Sequence, residues 1–222
     1  NPYDVFDHIG ADPLRWYFLA RLAPESQKRI SVDIIREVAS SFVNTLWNTY
    51  VFFTLYASLD EVDLRQDVPP TERPEIDRWA LALLHHTVDE ATSALEAYDA
   101  HRAGQAIEEL IDQLSNWYIR RNRRRFWKSD AGSDKQSAYL TLYQCLDTLH
   151  RLLAPFMPFI AEEMYQNLVR SRDPDANRLF DPEPACDDAP PNAPDNFHDN
   201  APTRAVCPVK VRTNLFVPAS HS

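Results

Sequence analysis

The stretch from Asn116 to Ser129, NWYIRRNRRRFWKS, holds five arginines, one lysine and no acid, interleaved with Trp117, Tyr118, Phe126 and Trp127. Guanidinium forks grip phosphate, and aromatic rings stack on unpaired bases, so this mixture suits contact with a folded nucleic acid or another polyanion. Two blander readings stand beside it. Cations near a helix C-terminus complement its dipole by roughly 0.3–1 kcal/mol each. Alternatively, the acids between Asp60 and Asp67, or Glu108 and Glu109, pair with the arginines inside the protein. Dipole complementarity alone does not call for six cations, because neighbours within a turn or two repel one another.

Other candidates for chemistry are weaker. His85 and His86 are adjacent, so on a helix they point about 100° apart and do not share one metal without distortion. Asp89 lies where it could orient His85, and the pair reads as a helix surface. Glu108 with Glu109 and Glu162 with Glu163 are adjacent acids, of which one in each pair is expected to face solvent. There is no Gly-rich phosphate loop, no HExxH and no GxSxG. No catalytic residue and no metal ligand set is assigned, and no cofactor is expected in this chain.

The elements that must position the basic stretch are helical. Ile35, Val38, Phe42, Leu46, Tyr50 and Phe53 recur at three and four residues along a helix starting near Asp33. A second helix opens after Pro74, with Ile76, Trp79, Leu83, Val88, Leu95 and Tyr98 as its apolar positions. A break between Tyr98 and Arg102 separates it from a helix over Ala103 to Lys128. On a wheel of that last helix, Leu110, Ile111, Leu114, Tyr118, Arg121 and Arg125 lie within about 60° of the direction of Ile107. Arg120, Arg123 and Arg124 point away. Trp117, near the stripe, is expected in the core, and Trp127 is expected to be exposed.

Ser133 and Gln136 have capping-box spacing at the start of a helix carrying Tyr139, Leu142, Leu146, Leu149 and Leu153. Pro155 and Pro158 remove backbone donors and turn the chain, with Phe156 and Phe159 packing inward. Asp12 and Pro13 read as N-cap and first residue of a short helix near the start. These segments predict an all-α antiparallel bundle.

The chain of 222 residues has a formal net charge of −10, which disfavours a general nucleic-acid coat but allows a focused basic site. No apolar run approaches the roughly 18 residues of a membrane span, and no secretory signal pattern opens the sequence. The absence of an initiating Met suggests a piece of a longer protein. Cys145, Cys186 and Cys207 have no metal or disulfide spacing, with Cys145 expected to be buried. Beyond Arg170, prolines, aspartates and asparagines replace helical periodicity, so a disordered or loosely packed tail is expected, with Val206 to Phe216 as a candidate strand.

Asn1 to Ala20, NPYDVFDHIGADPLRWYFLA, resembles the segment after the KMSKS loop in class I aminoacyl-tRNA synthetases. Asn116 to Lys128, followed by YLTLYQCLDTLHRLLAPFMPFIAEEMYQNL, resembles the anticodon-binding helical domain of the isoleucyl-tRNA synthetase family. The resemblance covers Asn1 to about Val169. It implies a class I anticodon-binding bundle with a Pro-rich irregular tail, divided into a stem-contact segment (1–31), the bundle (32–170) and the tail (171–222). It places Gly10, Ala11, Asp12, Leu14 and Arg15 in the stem-contact element. The residues expected to meet tRNA are Arg15, Arg120, Arg121, Arg123, Arg124, Arg125, Trp127 and Lys128.

The expected partner is isoleucine tRNA, in the cytoplasm, with no membrane. ATP and magnesium belong to the parent enzyme's adenylation site. Neither that site nor an editing domain is recognisable here, and the HIG at His8 to Gly10 belongs to the GADPLRW segment, so the chain alone is expected to be inactive as a ligase. Two rivals remain: a helical module docking in trans to a separate catalytic synthetase subunit, and a remnant that folds without function.

Overall fold

The computed structural model describes residues 2–23, 25, 30–60, 62, 64, 68–127 and 132–170. The expected tail, the candidate strand, Cys186, Cys207 and Lys128 lie outside these residues. Every regular element among the described residues is a helix.

The first two helices, α1 (Pro2–His8) and α2 (Ala11–Trp16), are joined through Gly10, whose φ of 96° is a left-handed conformation that residues with a Cβ rarely adopt. Gly10 is itself the N-cap of α2, two positions before the expected Asp12. The chain then continues in a π-helical turn, Tyr17–Arg21.

Helix α3 (Val32–Val38) is capped by Ser31, whose side chain accepts from the Ile34 N–H. It passes through a π turn (Ala39–Val43) into α4 (Asn44–Leu59). The predicted stripe from Ile35 to Phe53 is buried throughout. Helix α5 (Glu75–Glu96) runs back against α6 (Ala100–Asp112). The break between them falls at 97–99, slightly earlier than expected. Tyr98 takes φ of 60° and is 96% exposed, so it serves the turn instead of the core, while the Asp99 side chain accepts the Arg102 N–H and starts α6.

The buried face of α5 differs from the predicted one. Asp77, Ala80, Leu84, Thr87, Ala91 and Ala94 face inward, while Ile76, Trp79, Leu83 and Val88 are only partly buried. Small residues let α6 approach closely, and the larger apolar groups flank that contact.

After α6, a π turn (Gln113–Ile119) leads into α7 (Arg120–Trp127). Helix α8 (Ser133–Leu153) has Gly132 as its N-cap with no side-chain cap bond, so the Ser133–Gln136 capping box does not form. Its stripe from Tyr139 to Leu153 is fully buried, as is Cys145. The turn at 154–157 leads to α9 (Pro158–Tyr165), extended by a π turn, Gln166–Arg170. Phe156 is buried as expected, but Phe159 is exposed.

Helix α2 pins this turn. The Arg15 guanidinium donates from Nε to the Phe156 carbonyl and from Nη2 to the Pro155 carbonyl, both at 2.9 Å. The Asp12 carboxylate accepts the Ile160 N–H at 2.8 Å and the Phe159 N–H at 3.5 Å, so it caps α9 and not its own helix. Trp16 stacks on Phe42 with centroids 3.9 Å apart and meets Phe156 edge-on at 5.4 Å. Three side chains of the DPLRW stretch thus join the first segment, the α3–α4 rod and the Pro-bounded turn.

Candidate nucleic-acid interface

The π turn over Gln113–Ile119 resets the rotation of the residues that follow it, because one extra residue is accommodated in the turn. The inward face past that point is Tyr118, Ile119, Asn122 and Phe126, all buried. Arg121 therefore leaves the stripe on which an uninterrupted helical wheel places it, and it is exposed. Trp117, expected in the core, is 42% exposed for the same reason.

Arg125 joins the interior instead of the surface. Its Nη1 and Nη2 bind the two carboxylate oxygens of Asp77 at 2.7 and 2.8 Å. Nε reaches the Asp134 carboxylate at 3.1 Å, Nη2 the Asp134 carbonyl at 2.8 Å, and Nη1 the Asn122 side-chain oxygen at 3.1 Å. The Tyr118 hydroxyl donates to the same Asp77 at 2.7 Å. Burial, reinforced by the neighbouring Asp77 carboxylate, pushes the Tyr118 phenol well above its ordinary range, which keeps it a donor. Asp77 is fully buried and the Arg125 side chain 13% exposed. This cluster ties α5, α7 and the start of α8 together, so Arg125, expected to meet tRNA, has its guanidinium engaged inside the protein. Arg15, also expected to meet tRNA, spends two of its donor groups on the 155–156 carbonyls.

The remaining arginines do face outward. Arg120, Arg121, Arg123 and Arg124 are exposed, and none forms an ion pair among the described residues. Of the acids that could pair with them, Asp60 instead pairs with Lys135 at 2.7 Å and accepts from the Tyr139 hydroxyl. Trp127 is exposed at the end of α7, while Phe126 is buried against Phe52 and Tyr139.

Sequence reasoning missed one surface feature. The Arg121 guanidinium carbon lies 4.1 Å from the centroid of the Trp117 ring, and Trp117 in turn meets Trp79 of α5 at 5.0 Å. The signal was present in the spacing of Trp117 and Arg121, but the small-residue face of α5 and the π turn that bring Trp79 alongside were not legible.

His85, His86 and Asp89 are exposed. Arg21 of the first segment binds Glu108, and Glu162 is buried, accepting from Gln166. Among the described residues no cluster of three His, Cys, Asp or Glu is placed to hold a metal ion, and no helix is long and apolar enough to cross a membrane.

Residues 77–202 match the family described as the anticodon-binding domain of tRNA ligase. The chain belongs to that family. The match begins at Asp77, the anchor of Arg125, includes all of α6 to α9, and runs into the segment beyond 170 that composition sets apart. Similar curated proteins include isoleucine–tRNA ligases. That of Thermus thermophilus is 46% identical over 177 residues, 79% of this chain and 17% of its own length. That of Dehalococcoides mccartyi is 49% identical over 176 residues, again 79% and 17%. That of Deinococcus radiodurans is 49% identical over 167 residues, 75% and 15%. The chain thus spans about a sixth of the length of these relatives. Among solved structures, the Mycobacterium tuberculosis methionyl-tRNA synthetase in complex with methionyl-adenylate shares the fold. It has a TM-score of 0.62 at 17% identity, over 75% of this chain and 33% of that one. A class I synthetase anticodon-binding bundle is therefore the architecture of the described residues.

Proposed function

We propose that this chain is the tRNA-holding portion of an isoleucine–tRNA ligase, gripping the anticodon stem-loop while ligase chemistry proceeds elsewhere in a longer protein. The observation that carries this reading is the set of exposed guanidiniums at Arg120, Arg123 and Arg124, unpaired among the described residues in a chain of net charge −10. A basic patch on an otherwise acidic body favours one docking orientation for a polyanion, since every other face repels it. Phosphate contacts of this kind fix register and orientation without chemistry of their own, which is what a remote active site requires of a positioning domain. Trp127, exposed beside them, supplies a stacking surface. Activation of isoleucine with ATP and magnesium is assigned to the remainder of the relatives' length.

The internal tie through Arg125 supports this role indirectly. It fixes the last turns of α7 against α5 and α8, so the outward arginines are carried on a rigid element.

Backbone footprinting tests the reading. On isoleucine tRNA, the chain should protect phosphates of the anticodon stem-loop from hydroxyl radicals, and the R120A/R123A/R124A variant should lose that protection. Protection confined to the acceptor arm, or none at all, would refute it. A second reading, docking in trans to a catalytic synthetase subunit, draws on the exposed Phe6 and Leu19 of the first segment. Co-purification of such a subunit, abolished by Phe6→Ser with Leu19→Ser, is its test.

A further inference from the structure

Trp117 is exposed, Trp79, half-buried against the core, meets it, and Arg121 lies over Trp117. Large aromatic rings paired at a surface, with a cation held over one of them, are poorly explained by folding alone, because the exposed ring contributes little burial. Their position is informative. Arg120, Arg121 and Arg124 lie three and four residues apart within α7, on one helix face, and the Arg121–Trp117 contact brings the ring beside that face.

We propose that Arg121, laid over Trp117 and backed by Trp79, is a stacking seat for one unpaired base of the RNA loop, with Arg120 and Arg124 holding phosphates beside it. The inference rests on the tRNA-binding reading above and deepens it from charge contact to base contact. Three properties carry it. The guanidinium is a planar, weakly hydrated cation whose face accepts a stacked base. Its contact with Trp117 restrains the side chain before binding, so less rotamer freedom is lost when a base arrives. Its N–H groups form no hydrogen bond or ion pair among the described residues, leaving the edge of the group available to the ribose–phosphate of the same nucleotide. The occupant is RNA and not an acidic protein segment, because a carboxylate partner would use charge alone and leave the exposed Trp117 ring without a task.

The experiment uses the full chain and two RNAs: the anticodon stem-loop of isoleucine tRNA, and the same stem closed by a linker carrying no bases. R121K keeps the charge and loses the plane, Trp117→Leu removes the ring beneath it, and R120A serves as a phosphate control. All three positions are exposed, and helical circular dichroism verifies folding. Stacking on an aromatic platform corresponds to roughly a 5- to 150-fold change in affinity. R121K and Trp117→Leu should each weaken the loop RNA within that range, leave the salt dependence unchanged and bind the loopless stem like the unsubstituted chain. R120A should weaken both RNAs and lower the salt slope by about 1.

Unchanged loop affinity in both R121K and Trp117→Leu overturns the stacking seat while leaving the phosphate reading in place. So does equal binding of both RNAs by the unsubstituted chain. Failure of the unsubstituted chain to bind either RNA overturns the tRNA reading and the stacking seat together.

Discussion

The five arginines of the basic stretch divide into two kinds by what surrounds each guanidinium. Arg125 is held by the carboxylate of fully buried Asp77, and truncating either partner strands the other charge away from water. Arg125→Ala should therefore lower stability by about 3–5 kcal/mol, whereas Arg123→Ala and Arg124→Ala should each change it by less than about 0.5 kcal/mol. Urea denaturation separates the two classes directly. Two buried groups contribute to the pH response of the fold with opposite signs. Burial lowers the His150 imidazole from 6.5 to about 4. A folded-state value below the unfolded one gives stability that is complete above pH 6.5 and lost as pH falls toward 4. Asp12 acts with the opposite sign, since burial raises its carboxyl from 3.8 to about 6. That contribution is present at low pH and lost as pH rises through 6. His150→Gln should thus flatten the loss of stability between pH 7 and 4, by on the order of 1–3 kcal/mol. Asp12→Asn should steepen it. Urea midpoints across that range give both slopes.

At the scale of elements, the first segment is fastened by close approach as much as by hydrogen bonds. A Cβ on Gly104 of α6 would sit 2.2 Å from the Ala20 Cβ and 2.8 Å from its Cα, and His101 Nδ1 lies 2.6 Å from the Ala20 carbonyl. Gly104→Ala should force the two apart at a cost of about 1–3 kcal/mol, with hydrogen exchange rising first at residues 17–21 while α8 stays protected. The same scale explains what could be read from sequence. The stripe of α3 and α4 and that of α8 are built from large apolar residues at regular spacing, and both were legible. The inward face of α5 is made of alanines, Leu84, Thr87 and a buried Asp77, which hydropathy scores as weak, so the periodicity points to Ile76 and Trp79, which pack beside that face. A π turn has no compositional mark, and it alone moved Trp117 and Arg121 outward. Asp12 carried a capping signal, but the helix it caps lies far along the chain, a relation that local spacing does not encode.

For the whole molecule, an acidic body presents a concentrated basic end. The bundle's interior ties consume one arginine of the stretch, and the exposed Arg120, Arg121, Arg123 and Arg124 are the docking surface for a polyanion in the proposed reading. Binding by phosphate contact releases counterions, so each engaged phosphate steepens the slope of log affinity against log salt by roughly 0.7–0.9, the range spanned by single strands and duplex DNA. The family match and the bundle geometry were anticipated by the basic stretch and the Pro-bounded turn, whereas the division of labour among the arginines required Asp77 and Asp134 to be seen in place.

The affinity of the chain for isoleucine tRNA and for an unrelated tRNA, measured from 50 to 200 mM salt beside the R120A/R123A/R124A variant, tests the central claim most directly. The account predicts tighter binding of isoleucine tRNA, a steep salt slope, and a slope about 2–3 shallower in the variant. Equal affinity for both tRNAs, with a slope unaltered by the three substitutions, would contradict it.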